Sequence, residues 1–196
     1  NYFDRCNGEV EIISNKSGSN TIQNNVFFES RGTLTLRHGN GNIVQNNIFF
    51  GNGKDHTGGI RVINGDQTIR NNYLEGVTGY RFGSGLTVMN GVPNSKINRY
   101  HQVDNANITQ NSLINLDHIH FAAGSDAERS AAPINLRFTN NLIVHQESKD
   151  GISLFDDVSG IEFAGNIVHN ASELTIDKGF AVDNVELARA KNGLLY

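Results

Sequence analysis

The chain has 196 residues, of which 37% are hydrophobic and 18% charged, with a formal net charge of −4 and a single cysteine, Cys6. Length and composition indicate one soluble globular domain, the acidic balance argues against nucleic acid as a partner, and one cysteine excludes an intrachain disulfide. No apolar run approaches the roughly 20 residues of a membrane span.

A repeat with asparagine at one corner organises the sequence. It reads TIQNNVFF at 21–28, IVQNNIFF at 43–50, TIRNNYLE at 68–75 and RFTNNLIV at 137–144, with weaker copies at 108–115 and 162–169. The position of the second asparagine gives six markers, with serine in place of asparagine in the copy at 108–115: Asn25, Asn47, Asn72, Ser112, Asn141 and Asn166. Asn1 extends the series by one turn. Asparagine suits such a corner because it tolerates left-handed backbone and its amide can bond from turn to turn.

Short alternating apolar runs lie between these corners. Several short strands in a repeat of twenty-odd residues predict an all-β fold, a right-handed parallel β-helix of six to seven coils that forms a partial domain. We expect the coils to occupy residues 1–170, with a loop insertion around 76–102 where one step of the repeat is much longer. Residues 171–196 should form a terminal coil or a cap.

The first strand carries two acidic residues. In NGEVEIISNKS, alignment on the corner asparagine puts Glu9 and Glu11 beside Thr33 and Thr35, so both glutamates point outward and Val10 points inward. Two outward carboxylates about 7 Å apart on one strand repel each other unless water or a cation screens them, and calcium accepts such oxygen ligands. Two solvated surface glutamates are the alternative interpretation.

Basic residues follow one and two coils further along. Lys16 lies just past its strand, and Arg37 and His38 close the next strand, so they should line one edge. Arg61 should lie in the column of Glu11, about 10 Å along the axis. This arrangement suits β-elimination on a polyuronate, in which a cation stabilises the enolate-like transition state, a neutral lysine takes the C5 proton, and arginine or water protonates the departing O4. Solvated surface side chains are again the alternative.

Five motifs in this order resemble polysaccharide lyase family 6, the β-helical alginate lyases and the dermatan-specific chondroitinase. They are NGEVEIISNKS, TLRHGNGNIVQNN, GGIRVINGDQTIRNNY, LTVMNGVPNS and DAERSAAPIN, and the resemblance extends to about residue 170. It implies these roles: calcium ligands Glu9 and Glu11, Brønsted base Lys16, Brønsted acid Arg37, and substrate contacts His38 and Arg61.

The resemblance implies a secreted or periplasmic lyase that cleaves 1,4-linked polyuronate by calcium-assisted β-elimination and leaves 4,5-unsaturated uronate ends. Alginate is expected before dermatan sulfate as the substrate. Because the pKa of arginine is far above neutral, charge stabilisation by Arg37 with water as the proton donor is an alternative. The rival from another class is a non-catalytic carbohydrate-binding β-helix.

Members of the family are longer, with several coils before the first motif and an asparagine calcium ligand in one of them. We therefore expect either a fragment of a larger lyase or a chain held against a second chain or segment that supplies those coils.

Two further pairs of residues attract attention. His118 and His120 share a strand face, but no third metal ligand is evident near them. Glu128 and Arg129 lie in a loop that either approaches the substrate or is pinned by an ion pair.

Overall fold

The computed structural model describes residues 1–196, which form twenty short strands and a single turn of 3-10 helix, Arg81–Gly83. In chain order the strands are β1 (Tyr2–Asp4), β2 (Glu11–Asn15), β3 (Thr21–Gln23), β4 (Val26–Phe28), β5 (Gly32–Leu36), β6 (Ile43–Gln45), β7 (Ile48–Phe50), β8 (Thr57–Val62), β9 (Thr68–Arg70), β10 (Tyr73–Glu75), β11 (Leu86–Met89), β12 (Asn107–Thr109), β13 (Ser112–Ile114), β14 (Ile119–Ala123), β15 (Leu136–Thr139), β16 (Leu142–Val144), β17 (Ile152–Leu154), β18 (Ile161–Ala164), β19 (Asn166–His169) and β20 (Phe180–Val182).

The strands pair in parallel and form three sheets along the axis of the molecule. Sheet A has the order β1-β4-β7-β10-β13-β16-β19-β20, sheet B the order β2-β5-β8-β11-β14-β17, and sheet C the order β3-β6-β9-β12-β15-β18. Neighbours within a sheet are three strands apart in sequence, up to the final pair of sheet A, because each coil contributes one strand to every sheet. The predicted all-β parallel β-helix is confirmed, with six strands in each of sheets B and C. No helix has the length and hydropathy of a transmembrane segment.

The core fills the inside of the coils with one or two inward side chains from most strands. On sheet A, the rings of Phe3, Phe27 and Phe49 stack with centroids 4.6 and 4.4 Å apart. On sheet B, Leu34 and Ile60 are buried partners in register. Because side chains alternate between the faces of a strand, their neighbours point outward. The outward residues of sheet B form the candidate site.

A ladder of buried asparagines joins the coils at the corner between sheets C and A. Its members are Asn25, Asn47, Asn72, Asn111, Asn141 and Asn166. Each side-chain amide donates to the carboxamide oxygen of the next member at 2.9 to 3.1 Å. The assignment of Ser112 to this series was wrong by one residue, because Asn111 occupies the ladder position and Ser112 begins β13.

The residue before each ladder asparagine has the second role of the corner. Asn24, Asn46, Asn71, Gln110 and Asn140 all adopt left-handed backbone, with φ between 52° and 58°. Gln110 and Gly165 (φ 64°) take the place of asparagine before Asn111 and Asn166. Because Gln110 precedes Asn111, matching the pair NS in ITQNS to the pairs NN of the other copies places the corner one residue too late. The two functions proposed for one corner asparagine are therefore divided between two consecutive residues.

The long step of the repeat contains two excursions from the coil. Residues 76–85 lead into β11, and residues 90–106 follow it. β11 itself lies within sheet B between β8 and β14. The span 76–102 therefore includes a regular strand of the solenoid, and the excursions on either side of it place Phe82 and Tyr100 over the outer face of sheet B, as the cation–π contacts below show.

The last residues pack on the outer face of sheet A. β20 pairs with β19 and extends that sheet by one strand. Beyond it, Leu187 and Leu195 pack against Tyr73 and its apolar neighbours. Arg189 forms a salt bridge with Glu75 at 2.6 Å. This segment covers one side of the solenoid and leaves sheet B open.

Candidate functional site

Lys16 and Arg37 lie at neighbouring positions just past the ends of two adjacent strands. Asn15 in β2 pairs with Leu36 in β5, and each is followed by one of the two basic residues. The backbone N–H of His38 donates to the carbonyl of Asn15 at 3.0 Å, which continues the pairing beyond the strands. The structure therefore brings Lys16, Arg37 and His38 to one edge of sheet B.

The turn after His38 depends on a glycine. Gly39 has φ +89°, and a Cβ at this position would overlap the backbone of Ser17 and Gly18. Any larger residue would push the two corners apart. Gly39 thus allows the corner that carries Arg37 to lie directly on the corner that carries Lys16.

The electrostatic environment of His38 reflects this clustering. Partial burial lowers the pKa of His38, and Arg37, His101 and Lys16 lower it further, whereas Glu11 acts in the opposite direction. Its Nδ1 atom is buried and has no hydrogen-bond partner. The neutral form of His38 is therefore favoured, and the cationic side chains of Lys16 and Arg37 beside it favour the approach of an anion.

Arg37 is held by stacking. Its guanidinium carbon lies 4.1 Å from the centroid of the Tyr100 ring, within the range of a cation–π interaction. The buried Nη1 atom of Arg37 has no hydrogen-bond partner. The side chain is oriented by an aromatic ring and keeps a donor that is not used within the protein.

Arg61 and Glu11 form an ion pair that crosses one coil. Arg61 aligns with Thr35, as the sequence predicted, and reaches past β5 to the Oε1 atom of Glu11. The two side chains are only 6% and 18% exposed, respectively. Burial lowers the pKa of Arg61, and Glu11 opposes that shift. The predicted alignment of Arg61 with Thr35 is confirmed, but Glu11 lies outside that column, and the ion pair forms because the Arg61 side chain reaches it.

The register predicted for the first strand was wrong by two residues at Glu11 and by three residues after it. Glu11 pairs with Thr33, and the pairing shifts after it because β2 contains one extra residue. This bulge lets both Ile12 and Ile13 pack against the core, so strict alternation fails at this point.

The bulge also changes the positions of the residues before it. Val10 was expected to point inward, but it is 68% exposed. Its carbonyl accepts the Thr33 N–H at 3.0 Å, and Gly32, with φ +87°, leaves room for this approach because a Cβ there would overlap Val10. Glu9 precedes the strand and is exposed. The two glutamates therefore do not share one strand face, and Glu9 lies in the loop that leads to Glu11.

A cavity of about 550 Å³ opens beside this ion pair. It lies toward the amino-terminal ends of the sheet B strands, and its charged lining residues are Glu9, Arg31, Arg61 and Arg81. Three guanidinium groups against one carboxylate give it a positive balance, although the chain as a whole is acidic. Such a cavity suits an anionic ligand.

Sequence reasoning missed two aromatic residues of the site. The ring of Tyr100 lies between Arg37 and Arg129, and the ring of Phe82 lies between Arg61 and Arg129, with cation-to-centroid distances of 4.1 to 5.9 Å. Both rings come from the two excursions around β11. The only signal in the sequence was the length of that step of the repeat. Length does not indicate which side chains of the excursions cover the outer face of sheet B.

The loop at 124–132 is pinned by ion pairs. Arg129 pairs with Asp126 and donates from Nε to the carbonyl of Gly124 at 2.7 Å, and Glu128 pairs with Arg99. The sequence suggested that Glu128 and Arg129 either approach the substrate or pin the loop, and the ion pairs show that both residues pin the loop. For Arg129, the contacts with Phe82 and Tyr100 also place it beside the site.

His118 lies just before β14 and His120 lies within it. Their ring centroids are 5.3 Å apart, and Nδ1 of His120 lies 3.1 Å from the carbonyl oxygen of Arg81. No group of three or more His, Cys, Asp or Glu side chains in the structure is placed to hold a metal ion.

Comparison with known proteins identifies the family. The sequence model of the chondroitinase B family matches residues 1–196. The structure of the PL6 family alginate lyase AlyGC is 73% identical, with a TM-score of 0.98 over 100% of this chain and 27% of that chain. A mannuronic acid specific polysaccharide family 6 lyase from human gut microbiota is 28% identical, with a TM-score of 0.81 over 94% of this chain and 44% of that chain.

A third structure, the alginate lyase AlyF-OU02 in complex with G6, is 27% identical, with a TM-score of 0.77 over 100% of this chain and 46% of that chain. No curated protein sequence matches the chain. The chain spans less than half the length of each of these three structures. Because the family model matches throughout, and the similarity to AlyGC extends over the whole chain, the chain belongs to the chondroitinase B family.

Proposed function

We propose that the protein is a polysaccharide lyase that cleaves 1,4-linked polyuronate, alginate before dermatan sulfate, by β-elimination. The observation that carries this proposal is the convergence of Lys16, Arg37 and His38 on one edge of sheet B, beside Arg61. Similarity to AlyGC and AlyF-OU02, which are described as alginate lyases, favours alginate. A cleft with clustered basic groups suits a chain that carries one carboxylate per sugar.

Lys16 is the proposed base. It is exposed at the edge of the sheet, and none of the salt bridges in the structure involves it. In the neutral form its Nζ takes the C5 proton, the electrons of that C–H bond form the C4–C5 double bond, and the C4–O4 bond breaks.

Arg37 is the proposed partner of the departing O4. Stacking on Tyr100 orients the guanidinium, whose N–H groups can donate hydrogen bonds to the developing negative charge. The proton that completes O4 comes from Arg37 or from water, since the pKa of arginine is far above neutral. Neutral His38 lies beside this path and contacts the substrate.

Glu9 and Glu11 are the proposed ligands of a calcium ion. Carboxylate oxygens are the donors that Ca²⁺ prefers, and the two residues provide part of a shell of about six to eight ligands. Glu9 is exposed beside the cavity, and Glu11 shares its charge with Arg61. When bound there, the ion would withdraw charge from the substrate carboxylate and make the C5 proton more acidic. Arg61 holds the Glu11 carboxylate in place through their ion pair.

The test is the ultraviolet absorbance of the new double bond, measured with the full-length protein in the presence of calcium. Absorbance should rise with alginate, Lys16→Ala should abolish the rise, and Lys191→Ala, which changes an exposed lysine near the carboxyl end, should leave it unchanged. No rise with alginate or with dermatan sulfate would refute lyase activity. Binding of alginate without a rise would instead indicate a carbohydrate-binding protein.

Calcium is tested separately by isothermal titration calorimetry. Glu9→Gln and Glu11→Gln should each weaken calcium binding by removing one charged oxygen ligand, whereas Glu162→Gln, on the outer face of sheet C, should not. Unchanged calcium affinity in both site variants would remove these residues as ligands, whatever the activity of the protein.

A further inference from the structure

The geometry of sheet B points to a second carbohydrate subsite beyond the proposed reaction centre. We propose that Tyr80, His118 and Phe155, together with Arg81, bind further uronate units of the polysaccharide at a distance from the bond that is cleaved. These three rings and the buried His120 that joins them are here called the ring row. This inference rests on the proposed function, because the ligand is another segment of the same polymer.

The ring row is a continuous series of aromatic contacts on the outer face of sheet B. Tyr80 meets His118 at 5.7 Å between centroids, His118 meets His120 at 5.3 Å, and His120 meets Phe155 at 4.9 Å. Tyr80 comes from the excursion before β11, His118 from the position just before β14, His120 from β14 itself, and Phe155 from the position just after β17. The row therefore spans three successive coils.

The two ends of the row are open to solvent. Tyr80 is 60% exposed and Phe155 is 50% exposed, whereas His120 between them is buried. Clustered apolar rings on a surface are costly in water, so such a patch marks a place of contact with a ligand or partner. The other strongly exposed aromatic residues, Tyr2 and Tyr196, lie in sheet A and at the end of the chain, away from this face.

Buried contacts hold the row in place from below. The carbonyl oxygen of Arg81 accepts a hydrogen bond from the Oγ1 hydroxyl of Thr87 at 3.3 Å and lies 3.1 Å from Nδ1 of His120. Arg81 has φ +54°, a conformation that costs a residue with a side chain energy and that these contacts maintain. The fixed turn directs Tyr80 and Arg81 to the surface in a constant relation to β14.

Arg81 supplies the charge that selects the ligand. Its guanidinium lies 5.3 Å from the ring of Tyr80, and none of the salt bridges in the structure involves it. A pyranose ring offers an apolar C–H face to an aromatic side chain, and a uronate adds a carboxylate for a guanidinium. A neutral sugar could stack on the rings but would leave the Arg81 guanidinium without a partner.

The ring row is continuous with the proposed reaction centre. Tyr80 and Arg81 also line the cavity that contains Arg61 and Glu9. β14 lies three strands from β5, the strand that ends at Arg37, which corresponds to about 14 Å along the axis. A polymer seated at Lys16 and Arg37 can therefore extend over the ring row with a later sugar unit.

The test compares oligouronates of different length. In a Lys16→Ala background, which prevents turnover, calorimetry gives the Kd of each oligomer for the protein with and without Tyr80→Ala and Phe155→Ala. We expect the double variant to bind long oligouronates about tenfold more weakly. The shortest oligomer that binds should keep its Kd, which also shows that the site is folded. Tyr2→Ala with Tyr196→Ala is the matched control and should change nothing.

A further variant tests the selection by charge. Arg81→Gln should weaken the binding of long oligouronates and should leave the affinity for neutral gluco-oligosaccharides unchanged. Equal affinity of the double variant and its background for long oligouronates would overturn the subsite. This outcome is distinct from failure of the proposed function, because loss of affinity in the double variant can be measured even if the unaltered protein produces no unsaturated uronate.

Discussion

Arg61 in β8 reaches across β5 to pair with Glu11 in β2, fifty residues earlier in the chain. The pair is mostly shielded from water, and Nε of Arg61 is buried without a hydrogen-bond partner. It therefore joins three coils at the point where the cavity opens, and it fixes the Glu11 carboxylate among the basic residues of sheet B.

Removal of one partner should leave a buried charge without compensation. We expect Arg61→Ala to lower the free energy of unfolding by about 3 kcal/mol, because Glu11 would have to be buried unpaired or become exposed. Urea denaturation followed by circular dichroism measures this difference. Arg137→Ala breaks an exposed pair with Glu162 and should cost less than about 1 kcal/mol. Equal losses in the two variants would contradict the role given to burial.

The asparagine corner offers a comparison between adjacent residues. The side chain of Asn72 donates to Asn111 and to the carbonyl of Val44, and its Oδ1 accepts from the backbone and side chain of Asn47. Asn72→Ala should cost about 3 kcal/mol of unfolding free energy, since several buried polar groups lose their partners. Asn71→Ala changes an exposed left-handed residue and should cost about 1 kcal/mol.

Thermal denaturation followed by circular dichroism provides the measurement for both asparagine variants, with unfolding free energies compared at one temperature. If Asn71→Ala proved the more damaging, backbone conformation rather than the ladder would be the main reason for asparagine at this corner.

Much of this architecture can be read from the sequence because it is periodic. Alternation of apolar residues fixes which side of each strand faces inward, and the repeated corner fixes how the coils stack, as with Leu34 and Ile60. Lys16 and Arg37 could be placed at a common edge for the same reason. The repeat therefore carries both the fold and the position of the basic edge.

The exceptions are places where a tertiary contact overrides the period. The bulge in β2 depends on the packing of both Ile12 and Ile13 and on the space left by Gly32, and none of these follows from alternation. Phe82 and Tyr100 come from irregular excursions whose course is set by contacts with arginines on other coils. A pattern within one repeat contains no information about such contacts.

Tyr100 should act as a positioning residue for Arg37. Tyr100→Leu should lower kcat/KM for polyuronate cleavage about fivefold, because a cation–π contact contributes about 1 kcal/mol to the orientation of the guanidinium. Tyr100→Phe keeps the ring and should retain the activity of the unaltered protein. Initial rates from the absorbance of the unsaturated product give both values. A loss in Tyr100→Phe as large as in Tyr100→Leu would show that the hydroxyl group, not the ring, is required.

His145 should make the stability of the coil dependent on pH. It is buried, and its Nδ1 atom has no hydrogen-bond partner. Burial lowers its pKa to about 4, with Lys149 and His169 acting in the same direction and Asp150 and Asp117 opposing them. The unfolded chain binds a proton near pH 6.5 and the folded chain only near pH 4, so stability is complete above about pH 6.5 and falls as the pH decreases toward 4.

The loss attributable to this residue is at most about 3 kcal/mol. The contribution of His145 is measured by urea denaturation of the unaltered protein and of His145→Gln at a series of pH values. Other titrating groups such as His38 and His120 contribute equally to both proteins, so the difference between the two proteins reports His145 alone. The variant starts from a lower stability at neutral pH, but its unfolding free energy should decline less steeply between about pH 6.5 and about pH 4. Parallel declines in the two proteins would mean that His145 does not stay neutral in the folded state over this range.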